Sequence, residues 1–238
     1  MKLVGHGLRV KDCDLSYFSG VERLKNECSL DCAYCKKECL IVKNGKIYLD
    51  QMEIAKLDNI YSSNIVNIIP YVLRRNNSEI VIHGSACVIN GNAICVIGAS
   101  GTGKSSVIDF FIKNYNASYL CDDIIRIGKH GILPCYSQPV LLRSGNDTYI
   151  IPIDSYRVCT SQNDVHIKKL YFITNDGYDE IKCLTYAESL FYLSLNCWGF
   201  YSVKDLHQKV HLDKCNSYYI SGDLNYKING ILSTMNIE

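Results

Sequence analysis

Net charge is the first thing this chain lacks: 25 basic residues stand against 24 acidic ones, and no basic run reaches five residues. A near-neutral chain without a basic stripe has no electrostatic footprint for nucleic acid or for an anionic membrane surface, so neither is expected as a partner. No charged-then-apolar leader opens the sequence, and no apolar stretch approaches about 18 residues. Secretion and membrane spanning are therefore not indicated, and a cytoplasmic location is the expectation. Internal repeats and low-complexity linkers are missing as well. What remains is an ordinary apolar fraction, 47% over 238 residues. That is enough for one large domain, or a domain plus a small N-terminal element, around a proper core.

Cysteine, by contrast, is plentiful, with 13 residues, an odd number. In a reducing compartment these read first as small buried hydrophobes, then as metal ligands, and last as disulfides. Cys87, Cys95, Cys121 and Cys183 sit singly in apolar runs and are expected in the core. Cys28, Cys32, Cys35 and Cys39 form a C-x3-C-x2-C-x3-C cluster whose first three members resemble the cluster-binding motif of radical-SAM enzymes. The same spacing places four small side chains on one face of a helix, a plain core stripe. A radical-SAM barrel needs many βα units after its cysteines, and the Gly-rich loop described below arrives too soon for that. Core stripe, structural zinc or other soft-metal site, and redox cluster are the three readings, in that order.

The organisation divides near residue 78. Residues 1–78 read as a Cys-rich, mixed α/β region, with a strand in "KLVGHGLRV" and a hairpin at Asn44-Gly45 in "LIVKNGKIYL". Ile54, Leu57, Ile60, Tyr61, Ile65, Ile68 and Ile69 recur near helical spacing between Glu53 and Arg75, with a break at Pro70. Residues 79–238 read as a single P-loop domain. In "EIVIHGSACVINGNAICVIGASGTGKSS" a strand, an Asn90-Gly91 turn and a second strand lead into a Gly-rich loop. A two-residue turn joins antiparallel strands, so the strand feeding the loop has an antiparallel partner. "ASYLCDDIIRIGKHGILPCY" predicts a strand ending at Asp122-Asp123 and a hairpin turning at Gly128 to Gly131. Strands follow at 165–174 and 179–183, then helices capped by Thr185 with Glu188, running to about Asn196, and by Ser202 with Asp205, running to about Leu212. The fold class is α/β, a mixed, hairpin-rich sheet with a P-loop and C-terminal helices.

The chemistry starts at the loop. "GASGTGKSSV" fills every fixed position of G-x-x-x-x-G-K-[ST] with Gly98, Gly103, Lys104 and Ser105, after an apolar strand and before an apolar-periodic helix. In that context Gly98, Ala99, Ser100, Gly101, Thr102, Gly103, Lys104, Ser105 and Ser106 form a nucleotide-binding cradle of backbone N–H groups. Lys104 is placed to reach the β- and γ-phosphates of a nucleoside triphosphate, and Ser105 can coordinate Mg2+ through its hydroxyl. Asp122 and Asp123 follow Lys104 by 18 and 19 positions, at the end of a strand. One of the two could hold Mg2+ and the other take a proton from an attacking hydroxyl. His83 lies in "IVIHGS", near the hairpin. Arg143, in "PVLLRSGND", is a candidate cation for charge on the transferring phosphate. Arg74, Arg75, Arg126 and Arg157 carry no motif.

The succession "IHGSACVINGNAICVIGASGTGKSS", "YLCDD", "PVLLR" resembles the HPr serine kinase/phosphorylase superfamily. It is similar more narrowly to the HPr-kinase-like proteins associated with peptide modification, lasso peptides included. The likeness covers about residues 80–145, and more weakly residues to about 200. The extended glycine-containing signature of true HPr kinases is replaced here by "PVLLRSGND". The resemblance implies a phosphoenolpyruvate-carboxykinase-like P-loop core and an ATP- and Mg2+-dependent kinase acting on a serine of a peptide or protein, with an oligomeric state. It further implies Asp122 as general base, Asp123 as a metal-associated partner, His83 as an active-site neighbour and Arg143 near the phosphates. Two alternatives are a kinase of the same fold with a small-molecule hydroxyl acceptor and a non-catalytic ATP-binding module.

Overall fold

The computed structural model describes residues 2–4, 8–11, 39–43, 46–49, 52–56, 80–127, 132–133, 140–144, 147–151, 156–157, 159, 165–197, 203–210, 212 and 215–235. In the N-terminal region β1 (Lys2–Val4), β2 (Leu8–Lys11), β3 (Cys39–Lys43), β4 (Lys46–Leu49) and β5 (Met52–Lys56) form one sheet in that order. "KLVGHGLRV" thus makes two antiparallel strands rather than one, and β3 pairs antiparallel with β4 as in the expected hairpin, whose Asn44-Gly45 lies outside the described residues. The expected helix from Glu53 is corrected at its start: residues 52–56 pair with β4, whose edge outweighs a helical periodicity that is weak there. The rest of that stretch, 57–75, lies outside the described residues. So do Cys28, Cys32 and Cys35. Cys39 opens β3, so the four cysteines do not share one helix.

The larger sheet has eight strands. β6 (Ile80–Ile89) and β7 (Asn92–Ile97) are the expected hairpin, with the turn residues Asn90 and Gly91 at positive φ. β7 then pairs in parallel with β13 (Ile167–Thr174), and β13 in parallel with β15 (Asn216–Ser221). β14 (Glu180–Cys183) adds antiparallel to the far edge of β15, not to β13, its neighbour in sequence. On the other side of β6 lie β8 (Ser118–Cys121) and β9 (Ile124–Ile127), and β10 (Ile132–Leu133) pairs antiparallel with β9. A separate ribbon pairs β11 (Val140–Ser144) with β12 (Asp147–Ile151).

The central strands are apolar on both faces. Along β7, Ile94 and Val96 join one core cluster while Cys95 and Ile97 join the other, and β13 divides Tyr171 and Ile173 from Leu170 and Phe172 in the same way. A period-2 chain buried on both sides needs a helical layer on each. α1 (Lys104–Asn114) and α4 (Leu224–Met235) cover one face through Val107, Ile108, Phe111, Ile228 and Ile231. α2 (Tyr186–Asn196) and α3 (Val203–Val210) cover the other through Leu190, Leu193, Leu206 and Val210. α2 starts at the expected capping box: Thr185 Oγ1 accepts from the Glu188 backbone and the Glu188 side chain accepts from the Thr185 backbone. Cys87, Cys95 and Cys121 are buried as expected. Cys183 is not: it lies exposed on the edge strand β14, where one sheet face meets solvent.

Candidate functional site

β6 is long enough to pair twice along one edge, first with β9 and then with β8. Ala86 sits opposite Cys121 and His83 opposite Ile124, which leaves Ser85 and Gly84 across from Asp122 and Asp123. The two aspartates therefore interrupt what would otherwise be one continuous strand. Asp123 adopts φ 60°, and the Ile124 N–H reaches back to the Asp122 carbonyl at 2.7 Å, a three-residue turn. A left-handed non-glycine residue at a break in a ladder is a strained feature of the kind that gathers at functional sites. Gly84 opposite it has no room for a side chain: a β-carbon there would meet Ile125 Cδ1 at 2.7 Å and the Val96 carbonyl at 2.9 Å.

The break places the aspartates in unlike surroundings. Asp122 is 2% exposed, and its Oδ1 accepts from Ser105 Oγ at 2.9 Å and from Ser85 Oγ. Burial, with the neighbouring Asp123 charge, raises its carboxyl to about 6, against the pull of the two serine hydrogen bonds. Asp123 is half-exposed, and its Oδ1 stands 4.0 Å from His83 Nε2. Burial, then the Lys104 charge, lowers the His83 pKa below its usual value, with Asp123 opposing. His83 also lines an open cleft of about 340 Å3 with Ala99, Leu195, Asn196 and Cys197. An isolated bridge between Ile82 and Cys197 ties the end of α2 to β6 beside it.

The loop 98–103 joins β7 to α1. Gly98 is required by close approach, since a β-carbon would lie 2.3 Å from the Ile173 carbonyl of β13. Gly101 and Gly103 hold φ of 83° and 94°, open to glycine at little cost. Gly103 is the residue that caps α1, with no side-chain cap hydrogen bond, and no acidic residue sits in the first turn. The helix thus opens with N–H groups that no side chain caps, and its macrodipole favours an anion there. Lys104 is 5% exposed and donates from Nζ to the Ala99 carbonyl at 2.8 Å, where Thr102 Oγ1 also donates at 2.8 Å. Ser105 and Asp122 offer an all-oxygen pair at the mouth of this cradle, a donor set that suits a hard divalent cation sharing its remaining positions with phosphate and water. Residues and geometry therefore fit a phosphate group accompanied by a hard divalent cation such as Mg2+. Among the described residues no group of three or more His, Cys, Asp or Glu comes together as a metal site of its own.

Of the residues singled out from the sequence, the structure brings together His83, Lys104, Ser105, Asp122 and Asp123 with the loop. Ser100 is exposed and Ser106, in α1, is half-buried. Arg143 lies in β11, opposite Thr148 of β12, and that ribbon runs beside α1; its side chain lies outside the described residues. Asp122 is buried and accepts from two serines, and Asp123 is the more exposed of the two aspartates. Sequence reasoning passed over three residues. Ser85 was within the quoted "HGS" but has no meaning until β6 and β8 are paired. Asn175 directly follows β13 and donates from Nδ2 to the Gly101 carbonyl at 3.3 Å. Lys227 interrupts the apolar stripe Leu224, Ile228, Ile231 of α4, a charged residue on a buried face that could have been noticed.

No family model matches the sequence, and no curated protein matches it. Among solved structures the fold is similar to that titled the Hpr(Ser) kinase/phosphatase from Coxiella burnetii, at 14% identity and a TM-score of 0.35, covering 65% of this chain and 93% of that one. So loose a likeness carries no argument about function. Among the described residues no helix is long and apolar enough to cross a membrane.

Proposed function

We propose that the chain is a Mg2+-dependent kinase that moves the γ-phosphate of ATP onto a serine hydroxyl of a peptide or protein. The observation that carries this reading is the unequal pair of aspartates beside the Gly-rich loop, one buried against Ser105 and the other half-exposed beside a cleft. A pure binding module has no use for a second, accessible carboxylate at that place. Lys104 and the N–H groups of residues 100–105 hold the phosphates, and Arg143 is a further candidate cation for the same charge. Mg2+, held by Ser105 and by Asp122 directly or through water, would offset negative charge on the phosphates. In this reading Asp122 is the metal-side carboxylate and Asp123 the base, the reverse of what the family resemblance implies. The acceptor oxygen bonds to the γ-phosphorus as the bond to the β,γ-bridging oxygen breaks; Asp123 takes the hydroxyl proton and ADP leaves. His83, kept neutral, flanks the path by which the acceptor enters.

The test is transfer of label from γ-32P ATP with Mg2+ into a lysate of the source organism. Wild type should label a polypeptide in an acid-stable bond, as a phosphoserine ester is. Asp123→Asn should lose about 10^2- to 10^4-fold in rate while still binding the nucleotide, as expected for a lost general base. Label found only as inorganic phosphate or in a small molecule overturns the serine acceptor, and full activity in Asp123→Asn overturns the assigned base.

A further inference from the structure

Lys227 is an ammonium group in an apolar wall. It is 2% exposed, far along the chain from the loop, and its Nζ donates to the Thr102 carbonyl at 3.0 Å and to the Asn175 side-chain oxygen. Asn175 in turn donates to the Gly101 carbonyl. Two successive loop carbonyls are thus held, one directly and one through an amide, by the residue just after β13 and one in the first turn of α4. Leu224, on the same face of α4 as Lys227, reinforces this, since its Cδ1 would be 3.4 Å from a β-carbon at Gly103. Burying a charge is costly and needs a return elsewhere in the structure. Burial pulls the Lys227 pKa down, while Asp223 and Asp176 nearby favour its charged form.

We infer that Lys227, with Asn175, is a positioning residue that latches the Gly-rich loop from behind in the shape that receives phosphate. The inference rests on reading residues 98–105 as that loop. In a trans peptide the C=O and the following N–H point in opposite directions. Fixing the Thr102 carbonyl toward Lys227 therefore aims the Gly103 N–H to the other side, toward the cradle, and fixing the Gly101 carbonyl does the same for the Thr102 N–H, which donates to the Ala99 carbonyl at 3.4 Å, the acceptor it shares with Lys104 Nζ. The restraint is needed because Gly101 and Gly103, both at positive φ, otherwise leave the loop many conformations to lose on binding. Lys227 does not touch the nucleotide; it acts through the loop.

The experiment is calorimetric binding of Mg2+·ADP to the full chain, together with amide hydrogen exchange of residues 101–105 without nucleotide. Lys227→Met should weaken binding by about tenfold to hundredfold and Asn175→Ala by severalfold, as for lost hydrogen bonds to charged and neutral partners. The double variant should be weaker than Lys227→Met by less than the Asn175→Ala factor, because both act through one latch. Ile231→Val, which loosens the same helix from the core without touching the loop, should leave binding within about twofold of wild type. Loop amides should exchange faster in Lys227→Met and Asn175→Ala than in Ile231→Val. Wild-type affinity in both latch variants, or equal weakening in Ile231→Val, overturns the latch; should Lys227→Met not fold, Asn175→Ala decides alone. Wild type that binds no nucleotide overturns the phosphate-loop reading instead, and the exchange rates still judge the latch.

Discussion

Asp122 should cost the protein stability at neutral pH, and Asp122→Asn should recover it. The carboxyl lies at about 6 in the folded chain against an ordinary 3.8. At about 1.4 kcal/mol per tenfold in proton affinity, ionising it in the fold is disfavoured by about 3 kcal/mol. Because the folded pKa is the higher one, the stabilising, proton-bound state is fully present below pH 4 and is lost as the pH rises through 6. Asparagine has no charge to bury and keeps an oxygen for Ser85 and Ser105. Without divalent cations, Asp122→Asn should therefore exceed wild type by up to about 3 kcal/mol at pH 8, roughly 6 to 12 °C in melting temperature for a chain of this size. The gap should shrink between pH 6 and 4 and vanish below. Added Mg2+ should narrow it at pH 8, by stabilising only the wild type. The measurement is a series of thermal or urea unfolding curves from pH 4 to 8 with and without Mg2+. A variant no more stable at pH 8, or a gap that ignores pH, would refute the argument that Asp122 is a buried charge awaiting a cation.

Gly98→Ala places a β-carbon 2.3 Å from the Ile173 carbonyl, so β7 and β13 must part; it should cost about 2 to 4 kcal/mol by denaturant unfolding and take nucleotide binding with it. Thr185→Ala removes the capping box of α2 and should cost about 1 kcal/mol by the same assay, with Mg2+·ADP affinity unchanged because the cap lies at the opposite end of α2 from Leu195 and Asn196, which line the cleft with Ala99.

Local signals were legible wherever a single short stretch decides the geometry. Asn90-Gly91 turns β6 into β7 because both residues take the positive φ such a turn needs, and Thr185 with Glu188 starts α2 because both halves of the cap lie within one turn. Where two outcomes share a local pattern, the partner chose: residues 52–56 became a strand on the offered edge of β4, and Cys183 came to the surface because β14 fell on the rim of the sheet. The last strand and helix, β15 and α4, went unread although Asp223 marks the start of α4, where its side chain accepts from the Tyr226 N–H at 2.7 Å.

By itself, then, the sequence determined a Gly-rich loop between a strand and a helix, with Lys104, Ser105 and an aspartate pair close behind it, since glycine placement and spacing are written locally. Only the tertiary structure decided what each aspartate can do. The pairing of β8 and β9 along one edge of β6 turns Asp122 inward to Ser85 and Ser105 and leaves Asp123 outward beside His83. The same holds for Lys227, whose meaning depends on a carbonyl 125 residues away. Burial and long-range pairing, which set pKa and access, are properties of the packed sheet and not of any stretch of chain.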